Sequence, residues 1–354
     1  MAGAEALAGV VLNEPDTAYS AFHSEAAGTG VPATQLRLLE GELDRRWSAG
    51  TDALDAICHY ALTPSGKLFR PILLLQSALA VGGSVGQVLP AAVGTECGHV
   101  ASLIHDDIID ADELRRGRPS VQHKYGTDDA IVAGDALIFY LFYCLAECRR
   151  AGAAPHRVVT ALEIVARSGL ELCRGQSLEA EITANQVRDV DAYLRMIRLK
   201  TAALFRGACQ SGAVLGGGCD EWVAALGSYG DHLGLAFQIH DDLFAFDGDG
   251  ETIGKSTTSD IRNRRLTLPI LLAYQAGDAA DCDLLDGALA GDADPAEALH
   301  AVAGVMARTG AVEASRELAL CHALAAQQDL AVLPPTPSRD TLADFAERAV
   351  TRAC

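Results

Sequence analysis

Apolar residues recur every three or four positions along nearly the whole chain, and the strict alternation that a strand needs is essentially absent. The runs cover 34–62, 67–81, 88–110, 128–150, 156–174, 189–216, 220–247, 266–276, 295–307, 311–331 and 338–353. That period lays an apolar stripe along one face of each helix, and each stripe must be buried against another helix. Breakers fall between the runs: Thr63-Pro64-Ser65-Gly66, Gly82-Gly83, Gly216-Gly217-Gly218, Gly248-Asp249-Gly250 and Pro334-Pro335-Thr336-Pro337. Asp189 stands where an N-cap is wanted, just before Val190. No fixed-period repeat is present, which argues against a solenoid. The spacing therefore predicts an all-α fold: a single-domain helical bundle whose ligand sites face its centre.

The length of 354 residues allows one large domain or two. No Pro/Ser-rich linker divides the middle, so one domain over 33–354 is expected. Residues 1–32, rich in Ala, Gly and Thr, read as a flexible N-terminal arm. The formal net charge of −19 argues against nucleic acid as a partner. It also demands that any phosphate site reverse the field locally, with metal ions or clustered Lys and Arg. The ten cysteines are scattered without a CxxC pair, which disfavours zinc and suits a reducing, cytoplasmic setting. No signal peptide and no membrane span are expected, since no basic-then-apolar leader opens the chain and no run of 18 uncharged apolar residues is present.

Against this background two acidic clusters stand out. His105-Asp106-Asp107-Ile108-Ile109-Asp110 follows the apolar stretch Val100–Ile104, and His240-Asp241-Asp242 follows Leu233–Ile239. Carboxylates beside apolar surface cost several kcal/mol unless something positive neutralises them. Asp106 and Asp110 are four apart and share a helix face, with Asp107 beside them. A lone DDxxD can also be a solvated helix end. Here Arg115-Arg116-Gly117-Arg118-Pro119 follows within ten residues, and Arg grips phosphate oxygens bidentately. Two such clusters facing one cavity would hold hard cations such as Mg²⁺, which often come with phosphates.

The run from His99 to Pro119 resembles the first aspartate-rich region of the trans-type isoprenyl diphosphate synthases, the polyprenyl synthetase family. Further segments resemble that family in the same order: Gly66-Lys67-Leu68-Phe69-Arg70-Pro71, Gly175-Gln176, Lys200-Thr201, Phe237-Gln238-Ile239-His240-Asp241-Asp242, and Gly254-Lys255 with Thr267-Leu268-Pro269. The resemblance spans roughly residues 60 to 275. It implies an all-α homodimer with a deep cavity. The implied reaction is Mg²⁺-dependent head-to-tail condensation of isopentenyl diphosphate with an allylic diphosphate, with three Mg²⁺ per active site.

Carried over by position, Asp106, Asp107 and Asp110 would hold Mg²⁺ on the allylic diphosphate. Asp241 would ligate a further ion, with Asp242 in support. Arg115, Lys200 and Lys255 would clamp that diphosphate, with Thr201 and Arg265 also binding substrate. Lys67, Arg70, His99 and Arg116 would bind isopentenyl diphosphate, and Gln238 would lie near the reacting allyl group. His105 and His240 read as flankers. Taken singly these residues say less: Lys67 and Arg70 read as a surface pair, His99 as a core histidine, Gln176 as a bridge between helices.

The chain departs from the family pattern in the second cluster, where Ala245 stands at the third aspartate position. Asp247 is six residues beyond Asp241, about 120° round a helix. In the closing loop Thr258 and Arg264 replace glycines, and Arg265 replaces a lysine while keeping its charge. The family logic for product length is steric. Ala101 and Ser102, five and four residues before Asp106, are small, as is Gly98, so the shaft is open and a product of twenty carbons or somewhat more is expected. Its floor would come from Phe139, Tyr140, Phe142 and Tyr143, which equally suit plain core. The rival readings are a class I terpene cyclase on a similar fold, which needs no second diphosphate site, and a non-catalytic partner subunit, which should have lost its aspartates.

Overall fold

The computed structural model describes residues 33–48, 50, 52–247, 263–290 and 294–351. The expected arm at 1–32, and Gly254, Lys255 and Thr258, lie outside the described residues. The chain folds as helices: α1 (Ala33–Arg46), α2 (Ala53–Leu62), α3 (Phe69–Ala80), α4 (Val85–Ile109), α5 (Val121–Tyr125), α6 (Thr127–Glu147), α7 (Pro155–Asn185) and α8 (Val190–Ile197). A π-helical turn, Arg198–Ala202, leads into α9 (Ala203–Gly216) and α10 (Asp220–Asp247). Then come α11 (Leu268–Ala276), α12 (Ala279–Leu289), α13 (Pro295–Thr309), α14 (Ala311–Asp329) and α15 (Pro337–Thr351). Asp189 caps α8 as the sequence suggests, its carboxylate accepting from the Asp191 N–H at 2.9 Å.

Helices α3 and α9 are almost wholly buried and lie against one another, with α4 and α7 alongside. Buried residues form two clusters, and α10 contributes to both, through Leu226, Tyr229 and Leu233 in one and Leu235 and Ile239 in the other. α4 packs along α6. By length and composition α6 could cross a membrane, which the sequence reading did not anticipate. One of its faces, with Ala130, Ala133, Leu137, Cys144 and Leu145, is buried in the bundle.

The all-α expectation misses one small element. Leu114–Arg115 and Arg118–Pro119 pair antiparallel as β1 and β2, and the residues between them have positive φ, 53° at Arg116 and 75° at Gly117. That is the type I′ turn of a two-residue hairpin, in which a glycine at the second position is unstrained. Arg118 anchors it, donating to the carbonyls of Thr63 at 2.6 Å and Tyr60 and stacking 4.2 Å over the Tyr60 ring. The hairpin sends Arg115 and Arg116 to different places, Arg115 to the Asp107 carboxylate and Arg116 to the Pro64 carbonyl.

Candidate active site

A cavity of about 500 Å³ runs between α4, α6, α7 and α9. Asp106 and His105 lie on its wall with Ser102, His99, Gly98 and Thr95, all from α4; Phe142, Leu141 and Ile138 face it from α6, and Leu172 and Val165 from α7. Most of this lining is apolar. The expected chain-length pair is split. Ser102 lines the cavity, whereas Ala101 is fully buried and is not among the lining residues. The reason is helical: Ser102 is four residues from Asp106 and Ala101 five, a further 100° round. Of the four aromatics expected at the floor only Phe142 lines the cavity. Phe139 and Tyr143 are exposed, and Tyr140 packs edge-on against Trp47.

The same rotation separates the first aspartates. Asp106 faces the cavity, while Asp107 is 2% exposed and accepts from Arg115 Nε at 2.8 Å and again from an Arg115 Nη. Gln122 fixes the backbone there, donating to the Asp107 carbonyl at 2.6 Å. Asp107 is therefore a partner for Arg115 and does not share the cavity-facing side of Asp106, and the Arg115 guanidinium is turned back toward it. Asp110 ends the helix and accepts from Arg265 at 2.6 Å. Burial holds the Asp106 carboxyl above the usual carboxylate range; Lys200 opposes the shift, and Asp110 and Glu179 add to it.

Lys200 and Thr201 sit in the π-helical turn, an irregularity found often at functional sites. Gly175 makes room for that turn: a Cβ there would lie 2.7 Å from Lys200 Cα. Lys200 pairs with Glu179 at 2.5 Å. Thr201 donates to Gln238 Oε1 at 2.8 Å, Gln238 donates to Asp242 at 2.9 Å, and Tyr193 donates to Asp242 as well. These residues, with Arg265 and Thr267, line a second, polar cavity of about 160 Å³. Gln238 is thus placed on the polar side and is not among the residues lining the apolar cavity, where the resemblance suggested it would meet the allyl group. Asp242 supports Gln238 and Tyr193. α10 remains helical to Asp247.

A third group gathers cations. Arg70 Nη1 is 3.1 Å from His99 Nε2, and the Arg70 guanidinium stacks 4.6 Å from the Phe205 ring centre. Arg116 reaches the loop before α3: it donates to the Pro64 carbonyl at 3.4 Å, and a Cβ on Gly66 would lie 2.7 Å from its Cζ. Lys67 Nζ is 5.9 Å from the Phe69 ring centre. Burial pulls the Arg70 pKa down to about 10, with Glu96 and Asp241 opposing. Burial, then Arg70, Arg116 and Arg115, holds the His99 imidazole well below its usual range, hence neutral. Arg70 Nε and His99 Nδ1 are buried without a hydrogen-bond partner. Unspent donors of this kind suit an incoming anion.

Sequence reasoning passed over Glu96 and Glu179. Glu96 is the one charged residue in the run 88–104, and Glu179 is three residues beyond Gln176; both spacings could have drawn notice. Among the described residues no three His, Cys, Asp or Glu side chains converge as a ready metal cage. The donor set still fits Mg²⁺, which commonly takes one or two carboxylates and completes its shell with water and substrate phosphate.

Several known proteins are similar to this chain. The polyprenyl synthetase family model matches residues 51–305. A short chain isoprenyl diphosphate synthase from Methanothermobacter thermautotrophicus is 38% identical over 293 residues, covering 83% of this chain and 88% of the relative. A geranylgeranyl diphosphate synthase from Methanosarcina mazei is 32% identical over 294 residues, covering 83% and 88%. The crystal structure of a geranylgeranyl pyrophosphate synthetase from Pyrococcus horikoshii superposes with a TM-score of 0.84 at 29% identity, covering 96% of this chain and all of that one. With the match spanning most of the chain, this protein belongs to the polyprenyl synthetase family.

Proposed function

We propose that this chain is a prenyltransferase that condenses isopentenyl diphosphate head-to-tail with an allylic diphosphate, giving an all-trans prenyl diphosphate of twenty carbons or somewhat more. The observation that supports this reading most is two separate polar groups about one apolar cavity: Asp106 on its wall, with Lys200 and Arg265 in the second, polar cavity, and the Arg70/His99 pair. A terpene cyclase has no use for that pair.

In this reading the allylic diphosphate lies between Asp106 and Asp110 on α4 and Asp241 on α10. Mg²⁺ held by these carboxylates, three ions per site, would neutralise the diphosphate as it departs. Lys200 and Arg265 add fixed positive charge on the same side, stabilising the separated charges of ionisation. Asp107 orients Arg115, and Asp242 orients Gln238. Lys255 completes the clamp. The prenyl tail runs past Ser102 into the cavity, whose apolar walls exclude water from the carbocation and leave the second substrate's double bond as its nucleophile. Lys67, Arg70, His99 and Arg116 hold the diphosphate of that second substrate. His99, neutral, donates without bringing a charge of its own.

The bare apolar face of α6, with Val132 55%, Phe139 75% and Tyr143 50% exposed, supports a homodimer through that helix. A Phe139→Glu variant should then elute as a monomer in light-scattering chromatography; an unchanged dimer would place the interface elsewhere. Free thiols, among them the buried Cys58, Cys97, Cys144, Cys148 and Cys209, support action in the cytoplasm. A disulfide found in protein isolated from the cell without reductant would count against that setting.

The test is direct. Purified protein, Mg²⁺ and labelled isopentenyl diphosphate are incubated with dimethylallyl, geranyl or farnesyl diphosphate in turn, and products are separated by length. Linear chains of twenty carbons or more are expected. A cyclised hydrocarbon, or no turnover by the purified homomer, would overturn the reading.

A further inference from the structure

Tyr193 takes no part in the chemistry above. It is 2% exposed, and with Met196 and Ile197 it makes up the buried face of α8. A phenylalanine would fill the same space, so what tyrosine adds is the hydroxyl. That hydroxyl donates to Asp242 Oδ2. Asp242 Oδ1 accepts from Gln238 Nε2 at 2.9 Å, one turn earlier on α10, and Gln238 Oε1 accepts from Thr201 Oγ1 at 2.8 Å. Thr201 is eight residues beyond Tyr193, in the π-helical turn that continues α8. The contacts therefore close a ring, from α8 along the backbone to Thr201 and back through Gln238 and Asp242 to Tyr193.

The carboxylate sets the direction of every bond in that ring. An ionised Asp242 only accepts. Gln238 must turn its amide N–H₂ toward it, which leaves Oε1 facing Thr201, and Thr201 must then point its O–H at Gln238. The turn's backbone is held as well. A Cβ on Gly175 of α7 would lie 2.7 Å from Lys200 Cα, and one on Gly234 of α10 would lie 2.5 Å from Ala202 Cα. Lys200 lines the same polar cavity as all four members of the ring.

We propose that Tyr193 is a positioning residue for the allylic diphosphate side: by holding Asp242 it fixes the Gln238 amide and the Thr201 hydroxyl, and through them the π-helical turn on which Lys200 stands. This rests on the reading that Lys200 serves the allylic diphosphate. Because Tyr193 acts through Asp242, its hydroxyl matters only while Asp242 is there, and it tells on the allylic substrate and not on isopentenyl diphosphate.

The experiment is initial-rate kinetics with both substrates varied, on wild type, Tyr193→Phe, Asp242→Ala, the double variant and Lys200→Ala. Tyr193→Phe should lower kcat/KM for the allylic diphosphate about ten-fold, the effect of losing one hydrogen bond to a charged group, and leave KM for isopentenyl diphosphate within about two-fold. In the Asp242→Ala background the same substitution should cost less than about two-fold. An undiminished cost there would mean that Tyr193 does not act through Asp242, and the proposal fails. If Lys200→Ala lowers kcat/KM for the allylic diphosphate and Tyr193→Phe does not, the positioning role is wrong while the site stands. If neither does, the site assignment itself is wrong, and the proposal with it. Should Tyr193→Phe fail to fold, Asp242→Asn against Asp242→Ala decides. Asparagine can keep the ring, its Oδ1 accepting from Gln238 and its Nδ2 donating to the Tyr193 hydroxyl, so it should stay within about three-fold of wild type while alanine loses about ten-fold. Equal losses in the two variants overturn the proposal.

Discussion

Arg265 donates to Asp110 at 2.6 Å, joining residues 155 apart in sequence. The contact ties the segment before α11 to the end of α4, and it places a guanidinium next to the last aspartate of the first cluster. Asp110 is part-buried and so is Arg265, so the pair is sheltered from full solvent screening. Removing the cation should loosen the clasp and deprive the departing diphosphate of one positive neighbour. Arg265→Ala is expected to lower kcat/KM for the allylic diphosphate by about 10- to 100-fold, with Arg265→Lys losing less. Steady-state kinetics checks this; an unchanged Arg265→Ala would make the pair a packing feature only.

Product length should respond to Ser102 and not simply to Ala101. Ser102→Phe places a ring in the cavity below Asp106 and should shorten the main product by at least one five-carbon unit. Phe142→Ala opens the opposing wall and should lengthen it. Ala101→Phe has no cavity to enter, so it should cost about 1–3 kcal/mol of stability by overpacking. Chromatography of the products, together with thermal melting, separates the three.

Gly175→Ala should damage activity without touching a substrate contact. The added methyl group meets the backbone of Lys200, so α7 and the π-helical turn must part. A stability loss of about 1–3 kcal/mol is expected, along with a lower kcat from displaced Lys200 and Thr201. Gly169→Ala is the control: it lies on the same helix with open space around its Cβ position, and it should melt close to wild type.

His99 gives the fold a pH dependence. Its imidazole is held well below the ordinary value of 6.5, so the folded protein resists a proton that the unfolded chain accepts. Stability from this source is present above pH 6.5 and is lost as pH falls below it, by up to about 1.4 kcal/mol per pH unit. His99→Gln should therefore lose less stability than wild type between pH 7 and pH 5. Urea midpoints at the two pH values measure this, and equal losses would show that His99 is free to protonate in the fold.

The helical pattern and the shared face of Asp106 and Asp110 were legible because both follow from a period of 3.6 residues. The same arithmetic sets Asp107 and Ala101 on other faces, and applying it alone would have separated them from Asp106 and Ser102. Other features had no local signal. The pairing of Glu179 with Lys200 crosses a helix–helix contact that no local pattern reports. The pairing of Arg265 with Asp110 depends on how α10 and α11 return the chain to α4. The I′ turn at Arg116-Gly117 was hidden by its brevity, since two-residue strands show no alternation.

On this reading Asp106 and Asp110 at the end of α4, and Asp241 within α10, hold divalent ions above the apolar cavity. Crystals grown with Mn²⁺ and an unreactive thiolo analogue of farnesyl diphosphate would locate those ions by anomalous scattering. Peaks bridging the analogue's diphosphate to Asp106, Asp110 and Asp241, with the prenyl chain running past Ser102, are the expected result. Ions bound elsewhere, or an analogue whose tail avoids the cavity, would contradict it.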